Sequence, residues 1–63
     1  MSDLRYIDEV EVARITGRKV QSLRNDRFHR QGIPYCKVGK SVRYSLADVI
    51  AFMESRKIKT QAI

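Results

Sequence analysis

Two short stretches of the sequence combine amide, hydroxyl and cationic side chains at close spacing. The first, RKVQSLRN, holds Gln21 and Asn25 four residues apart, and the second, CKVGKSVRY, holds Lys37 and Arg43 on either side of a glycine. Gln and Asn can bond adenine through two hydrogen bonds, Arg can bond guanine in the same way, and Ser suits either base. Ten residues are expected to make such contacts or to bind phosphate: Arg18, Lys19, Gln21, Ser22, Arg24 and Asn25 in the first stretch, and Lys37, Lys40, Ser41 and Arg43 in the second.

The composition of the chain leaves little room for a catalytic or metal-binding site. A domain of 63 residues buries roughly 60% of the surface of its unfolded chain, which is a poor match to an apolar pocket of ~300 Å³ or more. Cys36 and His29 are the sole cysteine and histidine, so the sequence has no zinc-site spacing. We therefore expect a protein that is not an enzyme and has no catalytic residues, no cofactor and no metal.

The cysteine count and the hydropathy pattern bear on the compartment. A single cysteine, Cys36, cannot form an intrachain disulfide. The sequence also lacks a signal-peptide apolar run and an apolar stretch of ~20 residues. We expect a cytoplasmic protein that makes no membrane contact.

The charge of the chain is strongly positive and unevenly distributed. The formal net charge is +6 and the isoelectric point is about 10.0. Residues 1–12 carry a net charge of −3, residues 13–44 carry +8, and residues 45–63 carry +1. A basic segment of this size favours a polyanionic partner such as nucleic acid.

Two short helices joined by a glycine turn are expected to carry the first polar stretch. The first runs from about Asp8 to Thr16 and ends at Gly17, and the second runs from Arg18 or Lys19 to Arg27. With Leu23 facing inward, the residues on or near the opposite face are Arg18, Gln21, Ser22 and Asn25. Asp26 lies on the inward edge, where we expect it to bond a neighbouring arginine or a backbone amide.

A β-hairpin is expected to carry the second polar stretch, and side-chain alternation favours a three-residue loop over residues 39–41. That register pairs Val38 with Val42, Lys37 with Arg43 and Cys36 with Tyr44. Its buried face holds Cys36, Val38, Val42 and Tyr44, with Cys36 as a small core residue. Its outer face holds two facing cations, which repel each other unless a phosphate lies against them.

The clearest helical period lies after the hairpin. Ser45 and Asp48 form a variant capping box, and Leu46, Val49, Ile50 and Met53 repeat at helical spacing. Phe52 lies off this stripe, at the edge of the core or against a neighbouring subunit. Residues 1–56 are expected to form a single DNA-binding domain, and residues 57–63 a mobile tail or a subunit contact through Ile58 and Ile63.

Four segments together resemble a known family. They are EVARITG, LRNDR, GIPYCKVGKSVRY and SLADVIAFMESR. The series is similar to the small excisionases and AlpA-like regulators of phages and mobile elements, which are relatives of the MerR DNA-binding domain. The family often has Ser or Thr as the cap of the second helix, where this chain has Arg18 and Lys19.

The resemblance implies an α+β, winged helix-turn-helix fold with three helices and a two-stranded hairpin wing, in the order α-α-β-β-α. It also implies that the second helix enters the major groove of double-stranded DNA and that the wing follows the minor groove or the backbone. Carried over by position, Gln21, Ser22 and Asn25 would face bases, while Lys40, Ser41 and Arg43 would be wing contacts. Excisionases bind adjacent sites cooperatively, bend the DNA and direct a tyrosine integrase toward excision.

Three functional interpretations remain open at this point. The first is a recombination directionality factor, and the second is a transcription regulator of the AlpA type. The third is a protein-interaction module whose basic face binds an acidic protein. For the first, the acidic start of the chain (Asp3, Asp8, Glu9 and Glu11) is a candidate for head-to-tail contact with the basic middle of the next copy.

Overall fold

The computed structural model describes residues 5–60, and every structural statement below concerns those residues. Six elements follow one another along the chain: β1 (Tyr6–Ile7), α1 (Glu9–Thr16), α2 (Val20–Phe28), β2 (Cys36–Val38), β3 (Ser41–Ser45) and α3 (Leu46–Ser55). The helix pair, the hairpin and the third helix are therefore present in the predicted order. The strand β1 was not predicted.

The first helix begins and ends where the sequence predicts. Asp8 is the N-cap of α1, and its carboxylate accepts a backbone N–H of the first turn at 2.9 Å. The helix ends at Gly17, and after a short turn α2 begins at Val20. This start is later than the expected one at Arg18 or Lys19, because Lys19 has an extended backbone and is the N-cap: its carbonyl accepts the N–H of Leu23 at 3.2 Å, and its side chain makes no capping hydrogen bond.

The sheet has three antiparallel strands in the order β1-β3-β2, so β3 lies at its centre. In the register of β1, Ile7 is opposite Tyr44, and the backbone N–H of Leu46 donates to the carbonyl of Arg5 at 2.9 Å. A strand of two residues has no period that a sequence pattern can reveal. The pairing of β1 with β3 therefore links the beginning of the described chain to the junction between β3 and α3.

The register of the hairpin is not the predicted one. The loop has two residues, Gly39 and Lys40, and not three. The pairs are Cys36 with Arg43, Lys37 with Val42 and Val38 with Ser41. Gly39 has a φ of +62° while Lys40 has a negative φ, as in a type II′ turn, whose twist matches that of the flanking strands. The geometry of the turn, and not burial, therefore sets the register.

The two faces of the hairpin differ accordingly from the expected ones. Of the four side chains expected on a buried face, those on β3 are partly or fully buried, whereas Cys36 is exposed and Val38 is 68% exposed. Lys37 lies opposite Val42 and not opposite Arg43. The predictions of two facing cations and of Cys36 as a core residue are therefore wrong. The strand β2 extends beyond the core, so no apolar surface is available to cover it.

The third helix begins at Leu46 with Ser45 as its N-cap, as predicted. The side chain of Ser45 makes no capping hydrogen bond, so the expected box with Asp48 does not form. Ser45 is also the last residue of β3 and pairs with Tyr6 across the sheet. The sheet thus holds the start of α3 in place where a cap was expected to do so.

The buried side of α3 is rotated from the predicted stripe. Val49 is fully buried and Phe52 packs against the core, whereas Ile50 and Met53 are exposed. The predicted helix is present, but the prediction that Phe52 lies off its apolar stripe is wrong. Its position three residues after Val49 gives it the next inward place on the helix.

The core is small: the three helices, β3 and the loop between α2 and β2 each supply one buried residue. Its buried members are Val12, Leu23, Ile33, Tyr44 and Val49. Half-buried Ile7, Ala13, Val42 and Phe52 pack around them. Ile15, three residues after Val12 in α1, is exposed. This small core fastens the helix pair to the sheet, and the hairpin projects beside it in the arrangement of a winged helix-turn-helix.

The end of the described chain leaves the core. Residues 57–60 have no helix or strand, and Ile58 is exposed. Ile63, the other apolar residue expected to make a subunit contact, lies outside the described residues.

Candidate nucleic-acid interface

The outer face of α2 carries the predicted amide pair. Gln21 and Asn25 are both exposed, and Gln21 Nε2 donates to Asn25 Oδ1 at 3.1 Å. The bond holds the two side chains together one helical turn apart and leaves the Nδ2 donors of Asn25 and the Oε1 acceptor of Gln21 free. A donor and an acceptor presented side by side match the adenine edge in the major groove.

Phe28 extends this face, and sequence reasoning missed it. Its side chain is 83% exposed, at the end of α2, and it meets the His29 ring edge-on at 5.2 Å. The signal was its spacing, three residues after Asn25 and seven after Gln21, which places all three side chains on one face. An exposed aromatic ring beside two amides can contact the methyl group of thymine.

The other four residues predicted on this helix fall into two groups. Lys19 is exposed, Ser22 is half-buried, and Lys19 has no acidic partner anywhere in residues 5–60. Arg18 and Arg24, by contrast, are each bonded to a carboxylate. The basic character of the helix pair is therefore partly neutralised within the chain.

Arg18 is bonded to Asp26, as the position of Asp26 led us to expect. Arg18 Nη1 lies 2.5 Å from Asp26 Oδ2, and Gln31 Nε2 donates to Asp26 Oδ1 at 3.4 Å. The hydrogen bond from Arg18, more than any other contact, lowers the pKa of Asp26. Gly32 packs directly on this carboxylate, since a Cβ at that position would lie 2.8 Å from Asp26 Oδ2. Through Asp26, Arg18 thus links the turn before α2 to the loop after it.

Glu9 receives hydrogen bonds from two arginines of α2. Arg24 donates through Nε at 3.3 Å and through Nη2 at 2.6 Å, and Arg27 donates through Nη2 at 3.1 Å. The bond from Arg24 is the largest cause of the lowered pKa of Glu9. These three residues connect the first turn of α1 to the outer part of α2. Neither Glu9 nor Arg27 was singled out as part of the site in the sequence.

Arg27 continues the network into the sheet. Its Nη1 donates to the hydroxyl of Tyr44 at 2.6 Å, and its guanidinium lies 5.7 Å and 5.9 Å from the ring centres of Tyr35 and Tyr44. Partial burial acts to lower the pKa of Arg27, but the hydrogen bonds to Tyr44 and Glu9 outweigh it and raise the pKa. The network fixes the orientation of α2 relative to the wing.

The cations of the wing have no such partners. The side chains of Lys37, Lys40 and Arg43 are exposed, and none is paired with an acid within the described range of 5–60. Arg43 Nη1 donates only to the carbonyl of Val42, at 2.8 Å. Ser41, the fourth predicted wing residue, is exposed at the start of β3. The structure thus brings all four predicted wing residues to an open, positively charged edge.

A groove runs between the helix pair and the wing. It is lined by Asp8, Glu9, Val10, Arg24, Arg27, Lys40, Ser41, Val42 and Arg43. One wall therefore presents arginines held by Glu9, and the other presents unpaired cations. Between Arg5 and Thr60 no group of three or more His, Cys, Asp or Glu side chains is placed to hold a metal ion. No helix in that part of the chain has the length and apolar character needed to cross a membrane.

A comparison with known proteins agrees with this architecture. The family described as "Helix-turn-helix domain" matches residues 6–57, most of the chain. No curated protein and no solved structure matches this chain. Members of this family are typically not enzymes. On the strength of the fold and of this match, the chain belongs to the helix-turn-helix domain family, which supports sequence-specific binding to DNA.

Proposed function

We propose that this protein binds double-stranded DNA through two surfaces, with α2 in the major groove and the wing along the adjacent minor groove or the backbone. The observation that carries the proposal is the open edge formed by Lys37, Lys40 and Arg43, three cations without an acidic partner in the described chain. Like charges on a small exposed hairpin repel one another, and phosphate relieves that repulsion. The amides of Gln21 and Asn25 then supply the base contacts.

The finer proposal is an excisionase that binds adjacent sites cooperatively, bends the DNA and directs a tyrosine integrase toward excision. One helix and one wing cover only a short site, because a single module of this kind buries roughly 600 to 1,000 Å² of protein surface. Neighbouring copies on adjacent sites extend the recognised sequence. In this proposal the protein acts in the cytoplasm of a bacterial host cell, in contact with its DNA.

Head-to-tail contact between copies belongs to the proposal, but the acidic start of the chain supports it less than its charge suggests. Asp8 caps α1, Glu9 is bonded to two arginines, and Glu11 is bonded to Arg14. These internal partners leave less negative charge available for a neighbouring copy. Asp3 lies outside the described residues.

The second candidate is a transcription regulator that uses the same DNA-binding surface at a single operator. A third candidate, of another class, is a protein-interaction module whose wing binds an acidic protein. Salt dependence separates the third from the first two. If 4 to 6 side chains neutralise phosphates, the logarithm of the binding constant falls with the logarithm of salt concentration at a slope of roughly −4 to −5.

The experiment begins by selecting preferred sites from a random-sequence duplex library and measuring affinity for selected and scrambled duplexes at several salt concentrations. Asn25→Ala should weaken binding to the selected site by about 1 to 3 kcal/mol and leave the salt slope unchanged. Arg43→Ala should weaken binding to all sequences alike and make the slope shallower by about 1. A slope near zero for the unaltered protein would reject DNA as the partner.

Bending and site arrangement then separate the two DNA-binding candidates. An excisionase should bind direct repeats with positive cooperativity and bend them in a circular-permutation assay. It should also raise the yield of excision when a tyrosine integrase and its attachment site are supplied. Binding to a single operator over a promoter, without bending or an effect on excision, would favour the regulator.

A further inference from the structure

The guanidinium of Arg24 is held along one edge only. Its Nε and Nη2 atoms donate to the two carboxylate oxygens of Glu9, at 3.3 Å and 2.6 Å. A guanidinium has five N–H groups in a rigid fork. The two N–H groups on Nη1 and the second one on Nη2 make no hydrogen bond to the described chain. The free edge, with Nη1 and the second N–H of Nη2, can bond O6 and N7 of guanine in a bidentate contact.

Glu9 is itself fixed, so it can hold Arg24 in one orientation. Its side chain is only 20% exposed and accepts a further hydrogen bond from Arg27, which is 16% exposed and bonded to Tyr44. Arg24, at 55%, is the exposed member of the group. The carboxylate also lies in the first turn of α1, where the helix dipole favours negative charge. Glu9 therefore stays in place when a ligand approaches Arg24.

The charge of Arg24 is partly compensated by Glu9, a carboxylate that it shares with Arg27, whereas the cations across the groove have no such partner in the described chain. Lys40 and Arg43 line the opposite wall without an acidic partner in residues 5–60. A partly compensated guanidinium gains less from a phosphate than an unpaired one does, but its donor edge still discriminates between bases. The two walls of one groove thus present cations of different kinds.

We propose that Glu9 is a positioning and specificity-determining residue. It orients Arg24 to contact a base, with guanine as the expected partner, and its negative charge weakens the attraction of Arg24 to phosphates. The inference rests on the proposed DNA binding and deepens it. It divides the predicted contact residues into one arginine that reads sequence and wing cations that supply attraction. Glu9 acts only through Arg24 and has no contact of its own with DNA.

Glu9→Gln tests the inference, because the amide keeps the size of the side chain but cannot hold both arginine N–H groups as acceptor. The freed charge of Arg24 should raise affinity for scrambled duplex and steepen the salt slope by about 1. The ratio of selected-site affinity to scrambled affinity should fall by roughly 5- to 150-fold. Glu11→Gln is the matched control, since it removes the same charge from the same helix but frees Arg14, which is bonded only to Glu11. Its affinity ratio should stay unchanged.

Arg24→Gln is the second single variant of a double-mutant cycle with Glu9→Gln. It also keeps the inference testable if Glu9→Gln fails to fold. On its own it should lower the affinity ratio by a similar factor and leave the salt slope unchanged. In the Arg24→Gln background, Glu9→Gln should lower the ratio no further. A slope that becomes shallower by about 1 with an unchanged ratio would identify Arg24 as a phosphate contact and overturn the inference. That result would leave the proposed function intact, whereas an unaltered protein without salt-dependent DNA binding would remove both.

Discussion

The helix pair and the wing differ in what most of their cations do. Four arginines of the helix pair and the turn within it are bonded to acids of the same chain: Arg14, Arg18, Arg24 and Arg27. The three cations of the wing have no acidic partner in the described part of the chain: Lys37, Lys40 and Arg43. In the first region positive charge stabilises the fold and orients side chains, and in the second it is left for a partner.

The difference shows that a basic segment of sequence does not by itself show which cations are available to bind a partner. Residues 13–44 hold nine bases and one acid, and four of those bases are bonded to acids once the chain folds. Two of the three acids involved, Glu9 and Glu11, lie in the acidic start of the chain. The segment that seemed to be a separate negative patch is thus used to neutralise part of the positive one.

The largest expected effect comes from removing the most enclosed of the paired cations. Arg27→Ala deletes the hydrogen bonds to Tyr44 and Glu9 and leaves the Tyr44 hydroxyl without its donor. We expect the free energy of unfolding to fall by about 2 to 4 kcal/mol, measured by urea denaturation. Lys37→Ala on the wing is the control and should change it by less than about 0.5 kcal/mol. Equal losses for both variants would contradict the division into two regions.

The next effect compares a glycine that packs on the helix pair, Gly32, with one in the wing, Gly39; both have a positive φ, +87° and +62°. Gly32→Ala also places a methyl group 2.8 Å from the Asp26 carboxylate that holds Arg18. We expect a loss of about 2 to 3 kcal/mol from the backbone strain and the displaced ion pair together. Gly39→Ala meets no atom within 4 Å and should lose only about 1 kcal/mol. Thermal and urea denaturation of both variants would measure the difference.

A smaller effect is expected from pH, and it acts on the paired region alone. The arginine partners hold the pKa values of Glu9 and Asp26 below their ordinary values in the folded protein. Lowered folded pKa values mean that this stabilisation is fully present above the unfolded pKa values and is lost as the pH falls through the folded ones. Stability should therefore decline from about pH 5 downward. Glu9→Gln and Asp26→Asn should each be less stable than the unaltered protein at pH 7, and each should lose less free energy of unfolding on acidification. A decline as steep as that of the unaltered protein would count against these ion pairs.

The smallest effect on stability is expected at the tip of the wing. Lys40→Ala removes an exposed cation without an acidic partner between residues 5 and 60, so the free energy of unfolding should change by less than about 0.5 kcal/mol. Binding to all DNA sequences should nevertheless weaken, with a salt slope shallower by about 1. A variant that lost stability but kept its salt slope would place Lys40 with the helix arginines.

Much of the helical architecture could be predicted from the sequence, because each helix has a local signal. Asp8 and Gly17 bound α1, and the apolar period after Ser45 marks α3. The hairpin register could not be obtained in the same way, because alternation assumes that apolar side chains are buried. Val38 is apolar and yet exposed, since β2 lies beyond the core. There the conformation of the turn decides the pairing.

The residue types of the candidate interface were predictable, but their pairing was not. Glu9 and Arg24 are fifteen positions apart, and Arg27 and Tyr44 are seventeen apart. Such contacts depend on how α1, α2 and β3 pack, and no local spacing reveals them. Asp26 was the exception, because its place on the inward edge of α2 already required a partner. Phe28 could have been found, since it continues the spacing of Gln21 and Asn25.

The pairing of β1 with β3 also sets the order in which the fold can be completed. Tyr6 is opposite Ser45, so the sheet joins positions nearly forty residues apart in a chain of 63. Contacts that close long loops form after local ones, because the loop entropy must first be overcome. During synthesis the helix pair can therefore form while Tyr6 and Ile7 still have no partner. Their strand joins the sheet only after β3 has left the ribosome, so the sheet cannot be completed before Ser45 has emerged.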